Sequence, residues 1–500
     1  MSPLDEPDTT DFQCTTIHYT IALNVFDRLV EEWVGRNGEA SIVPSLAQSW
    51  EVSDDGLLYT FHLRKDVTFS NGFPLTAQDV RYTFTRLLTH PHASNQDIAG
   101  EIVGAKALQS GEAKELEGFT VLDDYNFTIK LEHPYSAFLA CLSMPGASIL
   151  DEETTTKAGD SFGTDPASTV GTGPFVFQEW RPGDRILLAA NPTWWEGTPN
   201  CKGVDLRFVY DAEKLNEMYR NGEFDIINMD DLGDLGDFYL HGSEYKDLVK
   251  TAPHVGIDYI ALNSSIAPLN DARVRQALQR SLNREVLLDA CLRGSGQVEN
   301  GIFPHGLVGF NPNLPTIPYD LQGAKKLLEE AGLANGFDLE IGMRPSSTSW
   351  QRTLMEMAAT MWEKIGVRAT IKILSEDEFM DQRTSGKLAC YTASWAADFN
   401  DPDNFAYTFF GSAENTKGRS LCYDNNQAIE RVSAARYITD EAARLKEYND
   451  LEKLIVQDDA AWIPLFSRER HFLTSSRLEN FTTAWNGWFE TYFKYMSISE

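Results

Sequence analysis

Basic residues are scarce in this chain. The 500 residues include 43 Lys and Arg against 74 Asp and Glu, which gives a formal net charge of −31. Nucleic acids and anionic membrane surfaces are bound through clusters of Lys and Arg, and the sequence contains no run of such residues. The composition therefore argues against nucleic acid as a partner.

Long hydrophobic runs are also missing. The uncharged stretch 134–150 contains two prolines and several polar residues, whereas a membrane-spanning helix needs about 20 mainly apolar residues. Residues 1–5 have neither the basic start nor the apolar core of a signal peptide. We expect no transmembrane helix, and a chain that is either cytosolic or has had its export segment removed.

The usual catalytic and metal-binding motifs are absent. There is no GxSxG, HExxH, phosphate-binding loop or GxGxxG. The six cysteines include no CxxC pair, so we expect no zinc site. Whether they are free or paired stays open at this point. His90 and His92 flank Pro91, which is typical of a surface turn. We predict no enzyme, metal or cofactor, although a site assembled from distant segments remains an alternative.

The length predicts more than one folding unit, because single cores stop growing at about 250–300 residues. Strand and helix patterns alternate irregularly, without a fixed repeat or a low-complexity linker. This favours α/β or α+β lobes joined by several crossings. The predicted elements include strands at 58–63, 127–131, 224–227, 259–262 and 367–374, and helices after Thr76, at 270–286, 321–331, 352–365 and 441–456, with 24–30 as the end of a helix.

The most unusual segment is 391–405, YTASWAADFNDPDNF. An aromatic strand end precedes a turn rich in Asp, Asn and Pro, and such residues commonly form structured loops. The alternative is a ligand site, in which Asp398, walled by Trp395 and Phe399, pairs with a ligand ammonium in a dry pocket.

This segment resembles the dipeptide- and oligopeptide-binding proteins of ABC importers, extracellular solute-binding protein family 5. Further blocks resemble the family in the expected order, and the likeness covers nearly the whole chain. They are 24–30 with 44–50, 59–67 with 71–72, 170–175 with 191–195, and 262–263 with 270–278.

The resemblance implies an α/β, periplasmic-binding-protein type II-like fold with two large lobes around a cleft and an extra smaller domain (cluster C). Lobe I would comprise 1–43, 169–263 and 477–500, lobe II 44–168, and lobe III 264–476. A short peptide would lie between lobes I and III and be engulfed on closure, with its backbone paired as an added strand.

The resemblance also implies a ligand site. The ammonium-binding aspartate of the family falls on Asp398, and Trp395 and Phe399 would line the site together with Asn400 and Phe26.

A ligand carboxylate would need a basic partner. Arg344 resembles the arginine of the dipeptide-binding branch, and Arg383 resembles one used in the oligopeptide branch. Either could instead be a surface arginine.

Two features depart from the family pattern. The segment Leu4-Asp5-Glu6-Pro7 comes almost at once, so we expect the strand that usually precedes it, and the lipoprotein or signal segment, to be missing. Ala396 stands where some oligopeptide-binding members have a half-cystine, so that disulfide is not expected.

The sequence thus predicts the binding component of an ABC importer: a monomer outside the cytoplasm that delivers short peptides to membrane permease subunits. The same fold carrying a nickel chelate, an opine or an oligosaccharide is the main alternative. A peptide or glycan hydrolase and a cytosolic sensor are less favoured alternatives.

Overall fold

The computed structural model describes residues 6–15, 19–34, 40–232, 234–242, 244–252, 254–486 and 491–499. Leu4 and Asp5, which belong to the segment that departs from the family pattern, lie outside them. The described chain forms two compact units. Unit 1 contains the residues up to Ala252 and those from Arg470 onward, and unit 2 spans Pro253–Glu469. The finer division into lobes I, II and III stays a prediction.

The strands of the described residues are numbered in chain order. They are β1 Val30–Val34, β2 Ala40–Pro44, β3 Ala47–Val52, β4 Leu58–Leu63, β5 Phe119–Asp123, β6 Asn126–Lys130, β7 Phe175–Arg181, β8 Arg185–Ala190, β9 Gly203–Arg207, β10 Ile226–Asn228, β11 Val249–Ala252, β12 Gly256–Leu262, β13 Gly296–Val298, β14 Asp338–Met343, β15 Arg368–Ile373, β16 Cys390–Ala396, β17 Trp462–Arg468, β18 Arg470–Thr474, β19 Leu478–Glu479 and β20 Ser497–Ile498.

The α-helices are numbered in the same way. They are α1 Thr20–Val25, α2 Ala77–Thr89, α3 Ala105–Gln109, α4 Phe138–Leu142, α5 Glu152–Ala158, α6 Ala212–Arg220, α7 Asp234–His241, α8 Ala272–Arg280, α9 Arg284–Leu292, α10 Leu321–Glu330, α11 Ser349–Glu363, α12 Glu376–Thr384, α13 Asp403–Phe410, α14 Ala413–Gly418, α15 Asn426–Ala435 and α16 Glu441–Glu452.

Unit 1 is built from several small sheets. Their strand orders are β3-β4-β6-β5, β7-β8-β9, β10-β18-β11, β1-β2 and β19-β20. Helix α2 covers the first of these sheets, and it begins with a capping box in which Thr76 and Asp79 satisfy each other's backbone N–H groups. The predicted strands at 58–63 and 127–131 and the predicted helix start are confirmed.

In unit 1, three of the sequence blocks that resemble family 5 come together around one buried carboxylate; they are 24–30, 170–175 and 191–195. Asp27 Oδ2 accepts hydrogen bonds from Thr172 Oγ1 and Trp195 Nε1, each at 3.0 Å. Gly171 and Gly173 allow this approach, because a Cβ on Gly171 would lie 2.0 Å from the Val25 carbonyl oxygen. Burial raises the pKa of Asp27.

The interpretation of 24–30 as a helix end is only partly right. Helix α1 ends at Val25, and Phe26 is extended. The carbonyls of Val25, Asp27 and Arg28 accept hydrogen bonds from the backbones of distant loops instead of from the next helical turn. The predicted helix at 270–286 is also two helices, because the Asn283 side chain caps α9 by accepting from the Val286 N–H.

Unit 2 is organised around one six-stranded mixed sheet of order β13-β17-β12-β16-β14-β15. Strand β12 is buried along its whole length and pairs antiparallel with both β16 and β17. One face carries a large apolar core with residues from α8, α9, α10 and α11, in which Trp362 is fully buried and donates to the Leu278 carbonyl at 3.1 Å.

The other face of this sheet is aromatic. The ring of Tyr259 from β12 lies 4.4 Å from that of Trp462 from β17, and Phe409 of α13 packs against both, at 5.5 Å from Tyr259 and 5.1 Å from Trp462. This packing fixes α13, and with it the turn that joins α13 to β16.

Candidate ligand-binding site

The turn that carries Asp398 follows directly after strand β16. Strand β16 pairs with β12 from Leu262 opposite Cys390 to Gly256 opposite Ala396, and the Ala397 N–H extends the ladder to the Val255 carbonyl at 2.8 Å. The chain then turns through 398–402 and enters α13 at Asp403. The turn therefore stands at the end of a strand, as the sequence predicts, but this strand is buried only at Cys390 and Tyr391, and Ser394 is exposed.

Asn404 organises this turn. Its Oδ1 accepts hydrogen bonds from Trp395 Nε1 and from the Asp398 backbone N–H, both at 3.1 Å. Its Nδ2 donates to Asp398 Oδ2 at 2.9 Å. Asn404 is itself buried, so one amide fixes both the indole ring and the carboxylate that the sequence analysis selected.

Two buried ion pairs stabilise the turn and the start of α13. Arg444 of α16 binds Asp401 with two hydrogen bonds of 2.9 and 2.7 Å. Arg436 bonds to both carboxylate oxygens of Asp403, at 3.0 and 3.1 Å. The Arg444–Asp401 pair is bidentate, and such planar pairs restrict geometry as well as adding energy, whereas Arg436 shares its single Nε–H between the two oxygens of Asp403. The turn is consequently a rigid element.

Trp395 is part of an aromatic and cationic wall. Its ring meets Phe409 edge-on with centroids 5.5 Å apart. The guanidinium of Arg419 lies over both rings, 4.5 Å from the Trp395 centroid and 4.9 Å from that of Phe409. A cation stacked on aromatic faces is held in a defined orientation.

The other expected lining residues differ in their surroundings. Phe399 is buried, and Asn400 is buried with its Oδ1 accepting from the Val308 N–H at 2.7 Å. Phe26 is in unit 1, where it is fully buried in the apolar core against Phe12. The structure thus groups Asp398, Trp395, Phe399 and Asn400 on one turn, and the ligand contacts expected of them stay predictions.

The two candidate arginines also differ. Arg344 follows β14, lies 3.7 Å from Glu376 and stacks over Phe379. Arg383 lies in the last turn of α12, and its Nε is buried without a hydrogen-bond partner in the described structure.

Sequence reasoning missed Asn404, Arg419 and Arg444 as parts of this site. Asn404 belongs to the segment that was singled out, and its position in the first turn of a helix after Pro402 was the available signal. Arg419 and Arg444 are remote in sequence, and no local pattern indicates them.

One further cluster has the composition of a metal site. Asp11, Cys14 and His90 bring their ligating atoms within 4.8 Å of one another. However, Arg86 already pairs with Asp11 at 2.6 Å, and burial raises the pKa of the Cys14 thiol to about 12. The arrangement is that of a hydrogen-bonded protein cluster. All six cysteines are free thiols.

Comparison with known proteins identifies the family. The model of the bacterial extracellular solute-binding proteins, family 5, matches residues 41–417. The chain belongs to this family. The predicted fold class is confirmed, because family 5 binding proteins of mixed α/β content are also its structural neighbours.

Three similar proteins illustrate the relationship. The heme-binding protein A of Haemophilus influenzae is 30% identical over 453 residues, covering 88% of this chain and 81% of the relative. The dipeptide-binding protein of Escherichia coli is 28% identical, covering 90% and 84%. The solved structure of HbpA2 from Haemophilus parasuis is 28% identical with a TM-score of 0.80, covering 100% and 97%.

The family and its relatives are solute-binding proteins of ABC importers, not enzymes, and family members are periplasmic. In the described residues, no helix combines the length and the apolar character needed to cross a bilayer.

Proposed function

We propose that this protein captures short peptides through their free α-ammonium group and delivers them to the membrane permease of an ABC importer. The observation that carries the proposal is the Asp398 carboxylate, which Asn404 holds just after the end of β16, beside the Trp395 ring. The similarity to proteins named for dipeptide binding supports the same ligand class.

The electrostatics of the site favour an ammonium ligand. Asp398 is half-buried, and a charge pair in such a place is screened less than one at an open surface. The carboxylate is oriented before the ligand arrives, so binding costs little reordering at this position. The hydroxyl groups of a neutral oligosaccharide could donate hydrogen bonds to this carboxylate, but only an ammonium group would also neutralise its charge.

We further propose that the protein returns its ligand chemically intact and that it acts as a monomer outside the cytoplasm. The absence of catalytic motifs and the non-enzymatic family support the first point. Export would require a signal or lipoprotein segment.

The proposal is tested by identifying what the purified protein carries. Native mass spectrometry, followed by denaturation and sequencing of the released material, is expected to show masses of two- to five-residue peptides. Titration calorimetry with Ala-Ala and Ala-Ala-Ala is expected to show one-to-one binding, and chromatography is expected to recover the peptides uncleaved.

Hemin serves as the contrasting ligand, because one relative is named for heme binding. A tight, saturable hemin absorption band combined with no heat from alanine peptides would contradict the proposal. Release of free alanine would contradict the assignment as a binding protein.

A further inference from the structure

One cavity of unit 2 is lined by residues other than those of the turn that carries Asp398. It has a volume of about 230 Å³, and its walls come from the segment 299–316, which follows β13, and from Glu452 at the end of α16. A water molecule in the liquid takes about 30 Å³. The cavity therefore has room for an ion together with several waters.

Glu452 is almost completely buried in the wall of this cavity. Its Oε1 accepts hydrogen bonds from the backbone N–H groups of Ile302 at 2.7 Å and Phe303 at 2.9 Å. Its Oε2 is buried without a hydrogen-bond partner in the described structure. Because a buried carboxylate oxygen without a partner is costly, this atom points to a cation or a hydrogen-bond donor as the occupant of the cavity.

Glu299 is a second buried carboxylate in the same wall. Its Oε1 accepts from Ser467 Oγ at 2.7 Å, and from the side chain and the backbone N–H of His305 at 2.8 and 3.1 Å. Among the described residues, no hydrogen bond to its Oε2 is formed. Each of the two carboxylates is thus anchored through one oxygen and keeps the other one available.

The buried base beside these carboxylates is Arg284 of α9, and its donors are used elsewhere. They bond to three backbone carbonyl oxygens and one side-chain amide oxygen, and in the described structure none reaches a carboxylate. The acceptors are the carbonyls of Glu299, Pro464 and Ile317 and the Oδ1 of Asn300. The positive charge of Arg284 therefore offsets one of the two negative charges without occupying either free oxygen.

The remaining charged groups nearby do not supply the second positive charge. Lys453, which follows Glu452, pairs with Asp458 at 2.7 Å. Glu285 of α9 is exposed to solvent. With Glu299 and Glu452 both ionised and His305 neutral, the cavity consequently carries one negative charge that the neighbouring side chains leave unbalanced.

The backbone around Glu452 is irregular. Helix α16 ends at this residue and continues directly as a π-helical turn, Lys453–Asp458. Such turns frequently occur at functional sites. A Cβ on Gly301 would collide with Glu452 Oε1, so the missing side chain lets the backbone of this segment lie against the carboxylate. The position of Glu452 at the cavity wall is thereby fixed.

We propose that Glu299 and Glu452 bind a divalent cation of the calcium type through their free Oε2 atoms. Calcium accepts six to eight oxygen ligands in flexible geometry and takes them from carboxylates, side-chain amides and water. Asn311 and Thr316 add side-chain oxygens to the same walls, and waters can complete the set. The cation balances the negative charge that the buried pair leaves over. This site is independent of the peptide site and of the proposed function.

The ionisation of Glu452 agrees with this assignment. Burial raises the pKa of Glu452 to about 8, and the charge of Glu299 acts in the same direction. A bound cation would favour the ionised form. It would also brace the segment 299–316, whose Val308 N–H bonds to Asn400 in the turn after β16.

The test measures thermal unfolding at pH 8 of protein freed of metal with EDTA and then dialysed. Addition of about 10 mM CaCl₂ is expected to raise the melting temperature of the wild type by about 3–10 °C more than NaCl of equal ionic strength does. Titration calorimetry with CaCl₂ is expected to show one site with a Kd of about 0.1–1 mM.

Glu452→Gln and Glu299→Gln each keep an oxygen that accepts the existing hydrogen bonds but remove the charge. Both variants are expected to lose the calcium-specific rise and the calorimetric binding signal. Glu430→Gln removes one exposed charge from α15 of the same unit and is the matched control, which should respond to calcium as the wild type does. If one cavity variant does not fold, the other provides the readout.

A wild-type melting temperature that CaCl₂ raises no more than NaCl does would overturn the inference. An equal calcium-specific rise in the wild type and both cavity variants would also overturn it, because the effect would then come from general binding to a protein of net charge −31. Peptide binding is measured separately, so either result leaves the proposed function intact.

Discussion

Asn404→Asp is a minimal change that tests the geometry around Asp398. The substitution keeps the oxygen that accepts from the Trp395 and Asp398 N–H groups but replaces the Nδ2 donor by a second oxygen. Two carboxylate oxygens would then face each other at the 2.9 Å that now separates donor and acceptor. At this spacing both carboxylates cannot be ionised without strong repulsion, so one pKa rises.

The magnitude follows from carboxylate pairs at similar spacing, whose two pKa values differ by about 3 units, at about 1.4 kcal/mol per unit. Because Asp398 is half-buried, we expect about 2–4 kcal/mol of lost stability. The raised pKa belongs to the folded state. The loss is therefore small near pH 4, grows as the pH rises through the new pKa, and is complete above it.

The assay is thermal unfolding of Asn404→Asp and the wild type between pH 4 and pH 9. For a unit of about 200 residues, 1 kcal/mol shifts the melting temperature by about 2–4 °C. The variant should thus melt roughly 4–16 °C below the wild type at high pH and close to it at low pH. A peptide ammonium relieves the repulsion, so Ala-Ala should stabilise the variant more than the wild type at pH 8.

Asn126→Asp is the matched control. Asn126 Nδ2 also donates to a carboxylate, that of Asp123, at 2.8 Å, but the pair is exposed. Its pH-dependent loss at high pH should be much smaller because solvent screens the two carboxylates. The new carboxylate also lies beside His62 Nδ1, which is 2.6 Å from Asn126 Oδ1, so it adds attraction and not repulsion where that imidazole is protonated. A pH-independent difference between Asn404→Asp and the wild type would refute the placement of the Asn404 amide against Asp398.

Three further predictions concern the same unit. Arg444→Met leaves Asp401 buried without its partner and should lower the free energy of unfolding, measured with urea, by about 3–5 kcal/mol. Lys446→Met, which removes an exposed ion pair with Asp450, is the control and should change it little. Equal effects of the two substitutions would contradict the structural role of the buried pair. Burial raises the pKa of Glu452 to about 8, so the stability of the wild type should fall as the pH rises from about 4.5 to about 8. Glu452→Gln should remove this pH dependence. If the melting temperatures of the wild type and Glu452→Gln change with pH in parallel, Glu452 does not titrate in this way. Trp395→Ala should weaken free and N-acetylated peptides alike in calorimetry, because the ring is a wall, and unchanged affinity would show that it does not face the ligand.

Sequence patterns correctly predicted those helices and strands that are determined by residues close to them in the sequence. The Thr76–Asp79 capping box starts α2 as predicted, and the alternating pattern of 58–63 forms β4. Helix α10 stops before Gly332, which has a φ of +78° that favours glycine. In each case the residues that determine the element lie only a few positions away in the sequence.

Elements that depend on distant partners were not accessible in this way. The six-stranded sheet of unit 2 places β12 between β16 and β17, which are separated from it by more than a hundred residues. Asp398 was identified through its own segment, but the stacking of Arg419 on Trp395 and the pairing of Arg444 with Asp401 arise only after the helices pack. Charge counts alone could not distinguish the paired Arg344 from the unpaired Arg383.

The most direct test of the central claim is titration calorimetry of Ala-Ala and N-acetyl-Ala-Ala with the wild type and Asp398→Asn. Acetylation removes the ammonium group and the substitution removes the carboxylate charge, so the four affinities form a thermodynamic cycle. We predict that Asp398→Asn weakens Ala-Ala by a few kcal/mol but barely changes the already weak binding of the acetylated peptide. Equal effects of the substitution on both peptides, or wild-type affinity of Asp398→Asn for Ala-Ala, would contradict the assignment of Asp398 as the ammonium-binding residue.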